Sequence, residues 1–521
     1  MADDVTFYDE IECYAARLSY APGESAVLHV STTAANYDVV IERWGSERQE
    51  VWRQEGLAGL YTPPPEDADA NGCRWPASVT VAIDSNWRSG FYLVTLAAHG
   101  VAADRSVAHA GFVVRTESGA ESRTTRAVMV IATNTWNAYN NWGGKSLYTG
   151  GTQVSFRRPF GRGMLSRPEV ERDDRKARPA RWGEEPDVDG QVFQDYRFAH
   201  GYPPAIGSSG WFTFERRFVE WAESNGYDLD LVISADLEED PTVLDGYDLV
   251  LSVGHDEYWS AGQRRAVEQF VAAGGNLASF SGNTMFWQVR LEGDEADPGG
   301  SMVCHKYTAH LTDPVAESTP ELTSGMWCDP IVGNPEWRLL GGGSAFGLYY
   351  RFGAAVMRGS GGFTVYRDDH WLFENSGLRY GDVLGAKHGA VGYETLGVPL
   401  QLDEYQLPVV RDRPDLPAEV DVVAFVPASN CAMGEYPKSI SALSDQGDLE
   451  FIAERVHGGI NEDTLKRARI GNAVMLVCKP YPEGGEVVTV GTTDWAFALA
   501  DDEPVAQVTR NVLDRYTRAC S

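Results

Sequence analysis

Three short segments concentrate side chains able to do chemistry: TNTWNAYNNWGGKSLY at 133–148, GHDEYW at 254–259 and SGNT at 281–284. Turn formation asks only for Gly, Pro, Asn and Asp, so it does not account for Tyr139, Tyr148, His255, Asp256, Glu257 and Tyr258 alongside Asn283. A nucleophile elbow needs G-x-S-x-G; Ser281 could act with His255 but lacks the flanking glycine, and no cysteine ends a strand-like run. There is no phosphate loop, no G-x-G-x-x-G after a strand and no H-E-x-x-H. What remains in quantity is oxygen. Phenols and carboxylates are hard donors that suit a small, highly charged cation such as ferric iron. A cation of that kind also lowers the pKa of whatever it binds, water included. The plainer reading gives the same residues ordinary duties: aromatics sealing a sheet edge, and His255 bonded to a backbone carbonyl.

Each segment follows an apolar run. RAVMVIAT (126–133) is continuous, as in a strand buried on both faces; Asp228–Ser234, Tyr247–Val253 and Asn276–Phe280 repeat the pattern. Phe214–Asn225 reads as a helix, and SAGQRRAVEQFVAAGG (260–275) reads as another, with Ser260 as its N-cap and Gly274 and Gly275 at its end. This alternation predicts an α/β domain built on a doubly wound, mostly parallel sheet over residues 121–521. Such sheets bind ligands outside the carboxyl ends of their strands, so the three segments are expected to converge. Residues 134–210 and 285–470 read as long, β-rich insertions, and AVMLVCKP, EVVTVGTTDW and Val505–Ala519 as a return to the core. Residues 1–120 carry short strand-like runs (Glu24–Ser31, Tyr37–Arg43, Phe91–Ala97) between Gly, Pro and Asn, predicting an immunoglobulin-like β-sandwich.

The 521 residues carry 75 acids against 44 bases, a formal charge of −31, which repels phosphate backbones and anionic lipid. Nucleic acid and membrane are therefore not expected as partners; a small molecule is. No window reaches 18 uninterrupted apolar residues, and MADDVTFYDEIE lacks the basic and apolar regions of a secretion signal. Seven dispersed cysteines with no C-x-x-C suggest reduced, buried thiols and a cytoplasmic location.

Taken together, TNTWNAYNNWGGKSLY, GHDEYW, GGNLASFSGNT (274–284), VGYET (391–395) and GTTDWAF (491–497) resemble the catalytic large subunit of N,N-dimethylformamidase and its relatives, over roughly residues 125–521. The resemblance implies a class I glutamine-amidotransferase-like core that has exchanged a cysteine nucleophile for mononuclear Fe(III). It implies two tyrosinate ligands and one glutamate, here Tyr139, Tyr148 and Glu257, with His255, Asn283 and Glu394 as catalytic groups. Tyr196, Tyr202 and Tyr258 compete with Tyr148, and Glu394 reads equally well as a surface carboxylate in a β-hairpin. The implied activity is hydrolysis of a small amide C–N bond, by a homo-oligomer or with a separate small subunit. A redox-neutral Lewis-acid iron enzyme catalysing cyclisation, elimination or rearrangement is the alternative. A non-catalytic carbohydrate binder, stacking sugars on Trp136, Trp142, Trp182 and Trp211 in surface loops, is a third.

Overall fold

The computed structural model describes residues 10–117, 125–168, 201–203, 205–294, 297–350, 361–392, 394–411, 415–432 and 447–517. Its N-terminal part is two sheets. β1 (Ile11–Ala15), β3 (Ser25–Thr32) and β6 (Val79–Ala82) form one; β2 (Ser19–Tyr20), β8 (Val107–Val114), β7 (Gly90–Ala98), β4 (Asn36–Trp44) and β5 (Arg48–Ala58) form the other, in that order. Leu28 and Val79 from the first share a core with Ile41, Val94 and Phe112 from the second. β4 buries every second residue over most of its length, as a sheet with one dry face requires.

The main sheet has nine strands in the order β11 (Asp230–Ile233), β9 (Ala127–Ile131), β12 (Leu249–His255), β14 (Asn276–Gly282), β23 (Val487–Val490), β22 (Gly471–Lys479), β21 (Glu419–Ala428), β17 (Phe363–Val365) and β18 (Val383–Leu384). The first five are mutually parallel; β22 onward alternate in direction. Every residue of β9 and of β12 is buried, and alternate residues of β9 feed two different apolar clusters, one on each side. A four-stranded sheet of β10 (Gln153–Ser155), β16 (Asp297–Val303), β15 (Trp287–Asp294) and β13 (Tyr258–Ser260), and a pair of β19 (Leu400–Leu402) and β20 (Pro408–Val410), complete it.

Five helices matter below: α1 (Thr133–Tyr139), α2 (Glu215–Ser224), α3 (Ser234–Glu239), α4 (Ala261–Ala272) and α5 (Glu503–Thr517). Ser260 caps α4 by accepting from the Gln263 N–H at 3.1 Å. From β9 the chain passes through α2 to β11 on one side, then returns to β12 on the other side of β9. The strand order reverses between β9 and β12, and a crevice opens at such a reversal. No helix among the described residues is long and apolar enough to cross a membrane.

Two expectations need correction, and one helix gave no sequence signal. The segment after β9 is not a loop at its start but the two-turn helix α1, and α3, which carried no clear periodic signal, follows β11. The tryptophans offered as sugar platforms are interior: Trp136, Trp142 and Trp211 are 2%, 0% and 0% exposed, and Trp211 stacks on Phe91 of β7 at 4.3 Å. Trp182 lies outside the described residues. Indole faces spent in packing are closed to sugar, so this support for a carbohydrate binder is lost.

Candidate metal centre

His255 is the last residue of β12, and Glu257 follows two residues later, beyond the switch point of the sheet. Gly254 permits the turn: its φ is +81°, and a Cβ there would sit 2.3 Å from that of Phe214. Thr135, in α1, fixes the next stretch by accepting the Glu257 N–H at 3.0 Å and the Tyr258 N–H at 3.3 Å. The two elements flanking the crevice are thereby tied together by backbone donors.

Within the crevice, Tyr139 donates to Glu257 Oε2 at 2.9 Å, and Tyr148 lies 2.8–2.9 Å from both Glu257 oxygens. The two phenol rings stack at 4.2 Å. Tyr258 donates to the Tyr148 oxygen at 2.8 Å and so stands one bond behind. Of the other rivals, Tyr202 lies beside Gly163 and Tyr196 is outside the described residues.

His255 joins the two carboxylates: its Nε2 is 2.6 Å from Glu394 Oε2 and 3.3 Å from Glu257 Oε2. Nδ1 is 2.7 Å from the Ser208 carbonyl, which only accepts, so Nδ1 carries hydrogen. The plain reading of His255 and the functional one therefore hold together. Asn283 Nδ2 donates to Glu394 Oε2 at 3.2 Å, while Ser344 donates to Asn283 Oδ1 at 2.8 Å and sets which way that amide points. Asn283 itself is left-handed, with φ +51°.

Glu394 is 5% exposed, not the surface carboxylate of a hairpin. Its segment presses on Gly282, where a Cβ would meet the Glu394 carbonyl oxygen at 2.1 Å, and that carbonyl accepts the Thr493 N–H at 3.1 Å. VGYET and GTTDW are thus neighbours because a glycine ends β14.

Two nearby groups gave no signal in sequence. Lys306 Nζ lies 3.4 Å from the centroid of the Tyr148 ring, a cation over a π face. Arg158, 1% exposed, donates to the carbonyls of Asn140, Trp142 and Ser155 and to the Asn137 side chain, holding the turn between the two tyrosines. One lysine and one arginine among 44 bases carry no mark of this in a linear pattern.

The electrostatics follow from burial and crowding. Burial alone would depress His255, but the Glu394 and Glu257 carboxylates outweigh it and raise its pKa to about 10. Burial, then Glu257, Tyr139 and Tyr258, push the Tyr148 phenol well above its ordinary value. Burial works to raise Glu257, yet His255, Lys306 and Tyr148 hold it below the usual carboxylate range. Two phenols and a carboxylate share protons at one buried point, and ligand atoms of His255, Glu257 and Glu394 all fall within 4.8 Å of one another. A cation replacing the shared protons suits this hard donor set, since the Tyr148 phenol, held well above its ordinary value, does not ionise near neutral pH without one.

A family model described as "N,N-dimethylformamidase beta subunit-like, C-terminal" matches residues 38–510. No curated protein matches the chain. Among solved structures, the ectodomain of a teleost fish polymeric Ig receptor aligns at 16% identity and a TM-score of 0.14 over 23% of this chain and 56% of that one, too weak a likeness to assign a fold.

Proposed function

The chain belongs to the N,N-dimethylformamidase beta subunit-like family, and from that premise we propose that it is an Fe(III)-dependent amidohydrolase acting on a small amide. The observation that carries the reading is the convergence of Tyr139, Tyr148 and Glu257 on one buried point, with His255 and Glu394 in contact beside it. Tyr139, Tyr148 and Glu257 would hold the metal. When bound, a ferric ion supplies Lewis acidity, polarising a carbonyl or lowering the pKa of water.

The remaining steps fall to the chain's own groups. Glu394 takes a proton from water as the new C–O bond forms, then delivers it to the amide nitrogen as the C–N bond breaks, leaving a carboxylic acid and an amine. His255, protonated by virtue of its two carboxylate neighbours, presents Nε2–H to the oxygen on which negative charge develops. Asn283 Nδ2, aimed by Ser344, keeps the Glu394 carboxylate in place between those roles. Burial of every one of these groups excludes bulk water and strengthens each interaction. The class I glutamine-amidotransferase-like assignment of the core belongs to the same proposal, supported by the five parallel strands and the reversal between β9 and β12. So does a second subunit, suggested by the "beta subunit" in the family's description.

Visible absorption and elemental analysis of the purified protein test the metal. A phenolate-to-iron colour with about one iron per chain is expected, lost or strongly shifted in Tyr139→Phe. A colourless, iron-free, folded protein overturns the reading. Glu394→Gln separates metal binding from proton transfer: colour should persist while turnover drops by about 10²–10⁴-fold. Product formed in ¹⁸O-labelled water must carry one solvent oxygen in the acid; a product without it would replace hydrolysis by rearrangement or elimination.

A further inference from the structure

A cavity of about 970 Å³ lies at the same edge of the main sheet, against the first residue of α1. Thr133 and Ile233, at the ends of β9 and β11, form part of its floor. The N-terminal sheets roof it, through residues of β1 and the turn before β2, and Arg115 just after β8. Tyr14, Leu18, Phe156 and Leu291 supply an apolar wall. The volume is that of a ligand site, and the edge is the one where open α/β sheets take ligands.

Most of its charges are already committed. Arg17 pairs with Glu24 at 2.9 Å, and Arg157 holds Asp297 with two nitrogens at 2.5 and 2.8 Å. Two groups are not. Arg115 reaches Ser19 at 3.4 Å, Glu24 at 3.8 Å and Asp236 at 3.9 Å, all at the long limit of polar contact. Glu239, at the end of α3, makes no ion pair or hydrogen bond among the described residues, and Arg115 is the cation that acts on it most strongly. Thr133, which lines the cavity, is 2% exposed, and its buried hydroxyl has no hydrogen-bond partner among the described residues. Buried hydroxyls are nearly always bonded, so this one leaves bonding capacity unused beside the cavity.

We infer that this cleft binds a small zwitterion of amino-acid to dipeptide size, its carboxylate on Arg115, its ammonium on Glu239 and its side chain on the apolar wall. A dianion such as phosphate meets too many carboxylates here, and a plain cation does nothing for Arg115, whose polar contacts are all long. The zwitterion gives Arg115 a closer carboxylate and Glu239 a cation, and adds no net charge to a crowded site. The site is separate from the metal cluster, although α1 joins them with Thr133 at one end and Tyr139 at the other. It does not depend on the proposed activity.

Calorimetric titration of the full chain with L-phenylalanine and with L-leucyl-L-phenylalanine tests this. Phenylpropionate, lacking the ammonium, and phenylethylamine, lacking the carboxylate, are the comparison ligands. Saturable binding of a zwitterion is expected, at least about tenfold tighter than either one-ended analogue. Arg115→Met and Glu239→Gln should each weaken it by about tenfold or more, while Tyr139→Phe leaves it unchanged. Glu239 is exposed, so its variant keeps the fold should Arg115→Met fail to. No saturable binding of either zwitterion, equal binding of phenylpropionate, or indifference to Glu239→Gln overturns the proposal.

Discussion

The N-terminal sheets and the parallel half of the main sheet are both β-structure, yet they treat their side chains in opposite ways. β4 alternates dry and wet residues and spends its polar half on solvent, whereas β12 buries all seven of its residues. A strand with no wet face can offer function only at its ends. In a parallel sheet all carboxyl ends lie along one edge, so His255 at the end of β12 and Asn283 just after β14 arrive together. In the N-terminal sheets every pairing but that of β2 with β8 is antiparallel, so successive ends point in opposite directions and do not accumulate a cluster. Direction of pairing, more than composition, separates the half that gathers the cluster from the half that does not.

That contrast can be broken most severely at Glu257. Glu257→Ala removes the group shared by both tyrosines and His255; on the proposed ligand set, iron should fall from about one per chain to near none and turnover by about 10³-fold or more, read by elemental analysis and steady-state rate. An active, iron-free Glu257→Ala protein would undo the ligand set. Leu96→Ala, in the N-terminal core at 0% exposure, is the counterpart. It should cost about 2–5 kcal/mol in denaturant unfolding and leave the iron content of the folded fraction intact; loss of iron would show the two halves to be one cooperative unit at the site.

A pH measurement sharpens the comparison from the core side. Burial pushes Glu215 up to about 7 from an ordinary 4.5, with Asp256 adding to the rise, although the backbone N–H groups of Glu215 and Ala132 and the Trp136 N–H oppose it. A carboxyl raised by folding keeps its proton where the unfolded chain has lost it. Stability should therefore fall as pH rises from 4.5 to about 7, then level off. The span is of the order of 3 kcal/mol, and Glu215→Gln should flatten it across unfolding curves taken through that range. The smallest effect belongs to the seam between the halves. Arg88 and Asp228 pair at 3.1 Å with both side chains well exposed, so Arg88→Ala should change stability by about 1 kcal/mol or less, within reach of a careful denaturant series.

Much of this molecule was legible because period betrays burial. RAVMVIAT reads as a doubly buried strand and lies at Ala127–Ile131, and the amphipathic run after Ser260 forms α4 with that serine as cap. The motif residues were legible because their types suit no turn: Tyr139, Tyr148, His255 and Glu257 meet as the strand-end rule requires. Other features left no trace. α1 was hidden because TNTWNAY has too few residues to display a period, and its helix is held by packing of Trp136 and the Thr135 hydroxyl. The burial of three tryptophans in loop-like sequence was hidden because an indole in a loop reads the same whether it faces solvent or a second layer.

The sequence by itself determined which strands are dry on both faces, where the helices that return them begin, and which short segments carry donors too costly for structure alone. Those properties are local, set by side-chain type within a few residues. Only the tertiary structure decided that Glu394 belongs with His255, that Lys306 lies over Tyr148 and that Arg158 fastens the turn between the tyrosines. It also decided that Arg115 and Glu239 face one cleft. Each of these joins residues more than a dozen positions apart, most of them more than a hundred. Their meeting depends on how strands are ordered in the sheet and on close approaches such as Gly282 against the Glu394 backbone, which no local pattern encodes.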